Sequence, residues 1–163
     1  MIVGVDPGLA STGYAVVRRE GTRLVAVACG TIRTTPRTPH AERLRALHDG
    51  VAGLLDRHSA LEGALEAWFV HPISRAAMGM AEARGAILVA FAARGLPVAE
   101  YAPNEVKQAV TGNGRAEKGQ VRAMVARLAT GARAESDHAA DALAVAICHL
   151  NRAPLRTALR GAG

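Results

Sequence analysis

Three acidic residues and a histidine are the side chains in this sequence that are best placed to do chemistry. Asp6 follows a short apolar run and precedes a proline–glycine pair, so we expect it at the C-terminal end of a strand. Glu66 lies in a second apolar run, where a carboxylate is costly to bury unless it is paired, protonated or bound to a cation. His138 and Asp141 are three residues apart in a helical pattern and therefore share a helix face.

Carboxylates that meet at one edge of a fold repel each other unless a cation lies between them. Their oxygen atoms are preferred ligands of Mg²⁺ and Mn²⁺. Two such ions about 3.5–4 Å apart activate a water molecule and stabilise the leaving oxygen of a phosphodiester. The pattern is therefore compatible with metal-dependent hydrolysis of a nucleic acid.

The same residues also have purely structural interpretations. Asp6 is suited to cap the turn that follows it, and Asp137 with Ser136 is suited to cap the last helix. A single histidine such as His138 more often packs or faces solvent than binds a metal ion. Glu66 is the hardest to explain without chemistry, because nothing near it in the sequence would neutralise its charge. The residues alone leave the catalytic and the structural interpretations open.

The elements that must position these side chains alternate between the period of strands and that of helices. Strands are predicted at residues 1–5, 12–19, 22–33, 61–69 and 97–101. Helices are predicted at residues 40–58, 74–94, from 103 to a break at 111–115, at 117–129 and at 137–151. This order predicts an α/β fold with an antiparallel meander and a mixed sheet flanked by helices. We expect a single domain over residues 1–153 and a flexible C-terminal tail at 154–163.

Charge and composition narrow the class of partner. The net charge is +6 and the isoelectric point is about 10.3, which favours polyanionic partners such as nucleic acid. The only two lysines, Lys107 and Lys118, flank one short glycine-containing segment. Cys29 and Cys148 form no CxxC pair and are expected to be reduced thiols. With neither a signal-peptide pattern nor an apolar run of about 18 residues, we expect a cytoplasmic protein.

Five blocks of the sequence resemble the RuvC family of Holliday junction resolvases, in order and with the family's spacing over residues 1–150. The blocks are VGVDPG at 3–8 with STGY at 11–14, Glu66 with Phe69, YAPNEVKQ at 101–108, GNGRAEKGQV at 112–121 and DHAADALAVAICH at 137–149. The resemblance implies an RNase H-like fold and a homodimer that binds a four-way DNA junction. It further implies paired nicks made with Mg²⁺ or Mn²⁺, two ions per active site, and a branch-migration helicase as a further partner.

Carried over residue by residue, the resemblance assigns the candidate metal ligands. Asp6, Glu66 and Asp141 match family ligands, with Asp6 expected to bridge two ions. The fourth family carboxylate falls three residues before the last one, and that position is His138 here. Imidazole in place of a carboxylate shifts the expected preference toward Mn²⁺. Asp137 is a candidate for a compensating ligand.

The resemblance also assigns candidate DNA contacts. Lys107 and Lys118 match basic positions near the scissile phosphate, where a cation stabilises the charge of the transition state. Phe69 matches an aromatic residue that stacks on a base at the opened junction. Arg115 lies in a glycine-containing segment that is expected to let the backbone approach DNA.

Other functions fit the sequence less well. A phosphotransferase of the actin and sugar-kinase type needs two domains and a second phosphate-binding loop, which this sequence lacks. An RNase H-like enzyme that acts on RNA or ordinary duplex would share the carboxylates but is disfavoured by the resolvase-like blocks around Lys107 and Lys118. The main alternative is a catalytically impaired junction-binding module of the same fold, with His138 as the sign of lost activity. Retention of Asp6, Glu66 and Asp141 argues against it.

Overall fold

The computed structural model describes residues 1–67 and 74–160, and of residues 153–160 it describes the helical backbone alone. Within these described residues, six strands form one sheet. They are β1 (Ile2–Asp6), β2 (Ser11–Glu20), β3 (Arg23–Arg33), β4 (Glu62–Glu66), β5 (Val98–Tyr101) and β6 (Ala129–Gly131). The strand order across the sheet is β5-β4-β1-β2-β3-β6. The first three strands pair antiparallel, whereas β4 and β5 lie parallel to β1 and β6 lies parallel to β3. The predicted meander and mixed sheet are confirmed.

In the same part of the chain, five helices cover the two faces of this sheet. They are α1 (His40–Arg57), α2 (Arg75–Ala92), α3 (Pro103–Thr111), α4 (Lys118–Leu128) and α5 (Asp137–Arg160). One buried cluster joins the sheet to α3, α4 and α5, and a second joins its other face to α1 and α2. The sheet is therefore the middle layer of three.

The two-residue period of the strands decides which side chains face α5. On β1, Ile2 packs in the cluster on the α5 side, whereas Val3 and Val5 pack on the α1–α2 side. Asp6 follows the even-numbered positions and so lies on the α5 side. Ala64 sets the same phase on β4, which places Glu66 on the α5 side as well. Both carboxylates therefore face the same layer at the same end of the sheet.

Two glycines let α5 lie directly on the first two strands. A Cβ atom at Gly4 would come within 2.3 Å of the carbonyl oxygen of Ala142, and one at Gly13 within 1.9 Å of that of His138. Both distances are well below van der Waals contact. Since Gly13 is the register partner of Asp6, the start of α5 is brought directly over the end of β1.

Two elements differ from the prediction. The strand β6 was not predicted, since residue 129 was assigned to a helix and residues 130–131 to no element; three residues are too few to show a strand period. They are held by pairing with residues 24–26 of β3 and by the bond from Ala132 N to Ala26 O at 2.8 Å. The predicted end of the last helix at Asn151 is wrong, because α5 continues through Pro154 to Arg160. A proline removes one backbone donor, and the residues that follow it are good helix formers.

The end predicted for the domain at residue 153 therefore falls inside α5, and the flexible tail at 154–163 stays a prediction. Cys29 and Cys148 do not pair with each other, as expected, and burial raises the pKa of both thiols to about 11. Within the described ranges, no helix combines the length and the apolar character needed to cross a lipid bilayer.

Gly13→Ala is expected to destabilise the protein, because the added methyl group would collide with the backbone of α5. Overpacking of this kind costs about 1–3 kcal/mol, which corresponds to a fall in Tm of roughly 2–10 °C for a chain of this length. Thermal unfolding followed by circular dichroism measures the effect. Gly53→Ala is the matched control, since Gly53 lies inside α1 with nothing within 4 Å of an added Cβ, and should leave Tm unchanged or raised. Equal Tm values for the two variants would contradict the close contact with α5.

Candidate active site at the carboxyl ends of β1 and β4

Four candidate ligands come from three elements that meet at one edge of the sheet. Asp6 ends β1, Glu66 ends β4, and His138 and Asp141 lie in the first two turns of α5. Coulombic interactions link the carboxylates of Asp6, Glu66 and Asp141 to one another. The structure thus brings together the three acidic residues and the histidine that the sequence singled out.

The turn after Asp6 is held by a buried threonine. The hydroxyl of Thr12 donates to the carbonyl oxygen of Gly8 at 2.8 Å and accepts from the Gly8 N–H at 3.2 Å. Thr12 is fully buried, so these bonds are shielded from water. The structural interpretation of Asp6 as the cap of this turn is unnecessary, because Thr12 closes it.

Asp6 hydrogen bonds with His138. The distance between Asp6 Oδ2 and His138 Nδ1 is 2.6 Å. An ionised carboxylate only accepts, so Nδ1 carries the proton and, in the neutral ring, Nε2 keeps its lone pair. Burial raises the pKa of Asp6 above its ordinary value, and this rise is partly offset by the bond to His138. This contact fixes the tautomer that leaves a ring nitrogen available to a metal ion.

Glu66 is the most perturbed carboxyl group of the cluster. Burial, followed by the nearby charges of Asp6 and Asp141, raises its pKa from 4.5 to about 7. Lys107 and Lys118 oppose that rise without cancelling it. The ionised form of Glu66 is therefore disfavoured below about pH 7 unless a further cation lies close by.

Lys118 of α4 is a cation that pairs with Asp141, the carboxylate that α5 adds to the cluster. Its Nζ lies 3.2 Å from Asp141 Oδ2 and 3.5 Å from Asp137 Oδ2. Partial burial lowers the pKa of Lys118, but its ion pairs with Asp141 and Asp137 outweigh this, and the pKa is raised. Lys118 thus holds one of the candidate ligands and connects α4 to α5.

Asp137 lies on the outer side of Lys118. Its other oxygen, Oδ1, accepts from the Arg122 guanidinium at 2.9 Å, so the carboxylate joins two cations of α4 to the start of α5. Ser136, next to it, accepts from the Ala139 N–H and thereby caps this helix. These contacts favour a structural role for Asp137 over that of a compensating ligand.

A groove of about 220 Å³ opens beside the acidic cluster. Glu66 and Asp141 lie on its lining together with Lys107 from α3 and Lys118 from α4. Val106 and Val121 form part of its apolar base. An anionic phosphate that enters this groove would meet two lysines next to two carboxylates, which is the charge arrangement expected from the sequence.

The segment that carries Arg115 is more ordered than its glycines suggested. Gly112 ends α3 with a φ of 77°, a conformation that favours glycine. The Gly114 N–H donates to Gln108 Oε1 at 2.9 Å, and the Arg115 N–H donates to Asn113 Oδ1 at 3.0 Å. Arg115 is exposed at the surface. Phe69 lies outside the described residues.

The donor set suits hard divalent cations, although the side chains are not arranged around a single point. Within residues 1–67 and 74–160, no three histidine, cysteine, aspartate or glutamate side chains converge closely enough to hold an ion. Three of the four candidate groups are bonded to side chains: Asp6 and His138 to each other, and Asp141 to Lys118. Burial and the neighbouring carboxylates raise the pKa of Glu66, and Lys107 and Lys118 compensate its charge only in part. Three carboxylates and an imidazole are fitting ligands for Mg²⁺ or Mn²⁺.

One residue next to the site was missed by the sequence analysis. Arg84 of α2 donates from Nη1 to the carbonyl oxygen of Glu66 at 3.3 Å, and its Nη2 lies 2.5 Å from Glu100 Oε1 on β5. The separation of 18 residues between Arg84 and Glu66 follows no local spacing rule. The two partners of Arg84, Glu66 and Glu100, lie close together because β4 pairs with β5.

Comparison with known proteins identifies relatives over almost the whole chain. Residues 2–149 match the family described as "Crossover junction endodeoxyribonuclease RuvC". A protein of that name from Azorhizobium caulinodans is 49% identical over 148 residues, which cover 91% of this chain and 88% of the relative. One from Methylocella silvestris is 45% identical over 159 residues, which cover 98% of this chain and 90% of the relative.

A solved structure supports the same relationship. Thermus thermophilus RuvC in complex with Holliday junction substrate has a TM-score of 0.88 to this chain at 33% identity, and the match covers 96% of both chains. The predicted RNase H-like fold of a single domain is confirmed by this likeness.

Glu66→Gln is expected to change how stability depends on pH when metal ions are removed with a chelator. The folded chain holds the Glu66 proton more tightly than the unfolded chain does. The protonated carboxyl group therefore contributes its full stabilisation of the folded state below pH 4.5. This stabilisation is lost as the pH rises from 4.5 to about 7. The glutamine side chain has no proton to lose in this range. The Tm of Glu66→Gln should therefore rise by a few degrees relative to that of the wild type as the pH increases through this window.

Thermal unfolding at pH 4.5, 6 and 8 measures this difference. Glu20→Gln is the control, because Glu20 is exposed beside Arg18 at the β2–β3 turn. The Tm of Glu20→Gln should not rise relative to that of the wild type as the pH increases. A constant difference between wild type and Glu66→Gln would contradict the raised pKa.

Proposed function

Because the chain belongs to the RuvC family of crossover junction endodeoxyribonucleases, we propose that it cuts four-way DNA junctions by metal-dependent hydrolysis of phosphodiester bonds. One observation carries the proposal. Asp6, Glu66 and Asp141 meet at one edge of the sheet, beside a groove that also presents two lysines. A relative of similar fold has been solved with a Holliday junction substrate, which supports the choice of DNA.

The lysines would bind the substrate and hold its phosphate in place. Lys107 and Lys118 lie on neighbouring helices, α3 and α4, and both face the groove. Their charges would stabilise the negative charge that builds up on the phosphate as it is attacked. Arg115 is exposed between the same two helices and would contact the DNA backbone. The net charge of +6 would add a general attraction for the polyanion.

Asp6, Glu66, His138 and Asp141 would hold two Mg²⁺ or Mn²⁺ ions. When bound, the ions supply a nucleophile at neutral pH and stabilise the leaving 3′-oxygen. Asp6 would orient His138 through the 2.6 Å bond to Nδ1, which keeps the lone pair on Nε2. Lys118 would exchange its contact with Asp141 for one with the substrate phosphate. Glu66 would then be stable as an anion, because the bound cations would offset the burial and the carboxylate charges that raise its pKa.

Two copies of the chain would act on one junction. Paired nicks in a substrate with two-fold symmetry need two active sites, which a symmetric dimer provides. Met78 and Val89 are exposed apolar residues on α2, at 56% and 58% of their surface, and suit a contact with a second copy. A branch-migration helicase as a further partner stays a prediction from the family resemblance.

A catalytically impaired junction-binding module is the less supported alternative. Such a protein would have no need to keep three carboxylates in a cluster that raises the pKa of Glu66. Holding several partly buried carboxylates together lowers the stability of the protein, and DNA binding alone does not explain why such a cluster is present. His138 bonds to Asp6 and so forms part of the cluster.

Asp6→Asn is expected to abolish cleavage of a labelled synthetic four-way junction while leaving junction binding within about threefold of wild type. The amide keeps the size of the side chain but removes the charge that would bind the ions. Cleavage is measured with Mg²⁺, with Mn²⁺ and with a chelator, beside a linear duplex of matching sequence. The wild type should make paired nicks in the junction alone, and only with metal.

Asp49→Asn is the matched control, because Asp49 is exposed beside His48 on α1, which packs on the face of the sheet opposite α5. It should cut at the wild-type rate. Junction binding without cleavage by the wild type in either metal would favour the impaired module. Equal cutting of the linear duplex would contradict junction selectivity.

His138→Asp is expected to shift the metal preference toward Mg²⁺. An aspartate supplies oxygen in place of the imidazole nitrogen, and hard oxygen ligands suit Mg²⁺ better. The ratio of the cleavage rate in Mg²⁺ to that in Mn²⁺ should rise by about threefold or more over the wild type. An unchanged ratio would remove His138 from the proposed ligands.

A further inference from the structure

Arg84 reaches the backbone at the point where β4 presents Glu66. Its guanidinium donates from Nη1 to the carbonyl oxygen of Glu66 at 3.3 Å and pairs through Nη2 with Glu100 at 2.5 Å. The side chain of Arg84 is only 15% exposed, whereas that of Glu100 is 47% exposed. A charged side chain that is mostly covered needs such partners, and both of them lie at the catalytic end of the sheet.

The register of the sheet explains why the carbonyl of Glu66 depends on a side chain. The bonds from Gly63 N to Pro97 O and from Ala67 N to Tyr101 O show that odd-numbered residues of β4 bond toward β5. Even-numbered residues, Glu66 among them, therefore point their backbone groups toward β1.

The pairing of β1 with β4 ends at Val5 and Leu65. Continued by one step, the parallel pattern would require the backbone N–H of residue 7 as donor to the Glu66 carbonyl. Residue 7 is Pro7, which has no N–H. Pro7, which directly follows Asp6 at the end of β1, thus leaves the Glu66 carbonyl without a donor from the sheet, and Arg84 supplies one.

We propose that Arg84 is a positioning residue for metal binding, which acts by fixing the end of β4 and so the place from which Glu66 meets the ions. Glu100 has a supporting part, because it holds the other arm of the guanidinium and links β5 to the same point. Arg84 contacts the backbone of Glu66 and not its carboxylate, so it would act through Glu66 and not on the substrate. The inference rests on the proposed function, in which Glu66 is a metal ligand.

Mn²⁺ binding to the DNA-free protein, followed by electron paramagnetic resonance of the free ion, tests the proposal without reference to activity. Arg84→Met keeps the length and bulk of the side chain but removes the donors, and should raise the Kd for Mn²⁺ by about tenfold or more. Arg84→Lys keeps the charge but not the forked geometry, so its Kd should lie between those of the wild type and of Arg84→Met. In junction cleavage, the Mn²⁺ concentration for half-maximal rate should rise more than the rate at saturating Mn²⁺ falls.

Arg94→Met is the matched control. Arg94 follows α2 and makes a two-armed ion pair with Asp56, with both contacts at 2.6 Å, which ties α2 to α1 away from the carboxylates. This variant should lower Tm and leave the Kd for Mn²⁺ within twofold of wild type. An equal loss of Mn²⁺ affinity in Arg94→Met and Arg84→Met would overturn the proposal, because a general loosening of α2 would then explain both.

Glu66→Gln separates failure of this inference from failure of the proposed function. If Glu66→Gln weakens Mn²⁺ binding and Arg84→Met does not, the positioning role of Arg84 is overturned and the proposed function stands. If Glu66→Gln leaves Mn²⁺ binding unchanged, Glu66 is no ligand and both ideas are overturned. If Arg84→Met does not fold, Arg84→Lys and Glu100→Gln test the positioning role instead. Wild-type Mn²⁺ affinity in both of these variants would overturn the proposal.

Discussion

The close contact between α5 and the first two strands is the constraint on which the site depends. Gly4 and Gly13 leave so little room that carbonyl groups of α5 lie where side chains would otherwise be. At that distance the first turns of α5 come within hydrogen-bonding reach of Asp6, which is why His138 can bond to it at 2.6 Å. A helix resting on ordinary side chains would lie several ångströms further out, and its carboxylate would not share a site with those of the strands.

The packing of α5 on the sheet brings carboxylates together that repel one another. Burial and mutual repulsion raise the pKa values of Asp6 and Glu66, so the cluster costs stability when no cation is near. Lys118 and His138 relieve part of this cost from two sides. Their contacts are with exposed or partly exposed groups, so they can be exchanged for contacts with ions and phosphate. A site of this kind is destabilised in isolation and satisfied by its ligands.

The sequence was sufficient to predict the parts of the fold that follow local rules. The apolar runs placed Asp6 at the end of one strand and Glu66 in another, and helical spacing joined His138 to Asp141, because such patterns lie in consecutive residues. Features that depend on distant residues were not predictable in this way. The strand β6 exists through its pairing with β3, the role of Asp137 is set by cations on α4, and Arg84 meets Glu66 only because β4 and β5 are neighbours. Pro7 was the local signal for Arg84, but its meaning depends on the register of two strands that are far apart in sequence.

The bond between Asp6 and His138 joins residues separated by 132 positions, and the antiparallel meander alone carries only Asp6 of the four candidate residues. During synthesis, the first three strands leave the ribosome long before α5 does, and at about 5–20 residues per second this interval lasts several seconds or more. Throughout that time the chain lacks His138 and Asp141, two of the four proposed ligands. On that assignment, cleavage of DNA requires α5 to be in place on Gly4 and Gly13, so a chain that has not yet formed α5 would not cut DNA.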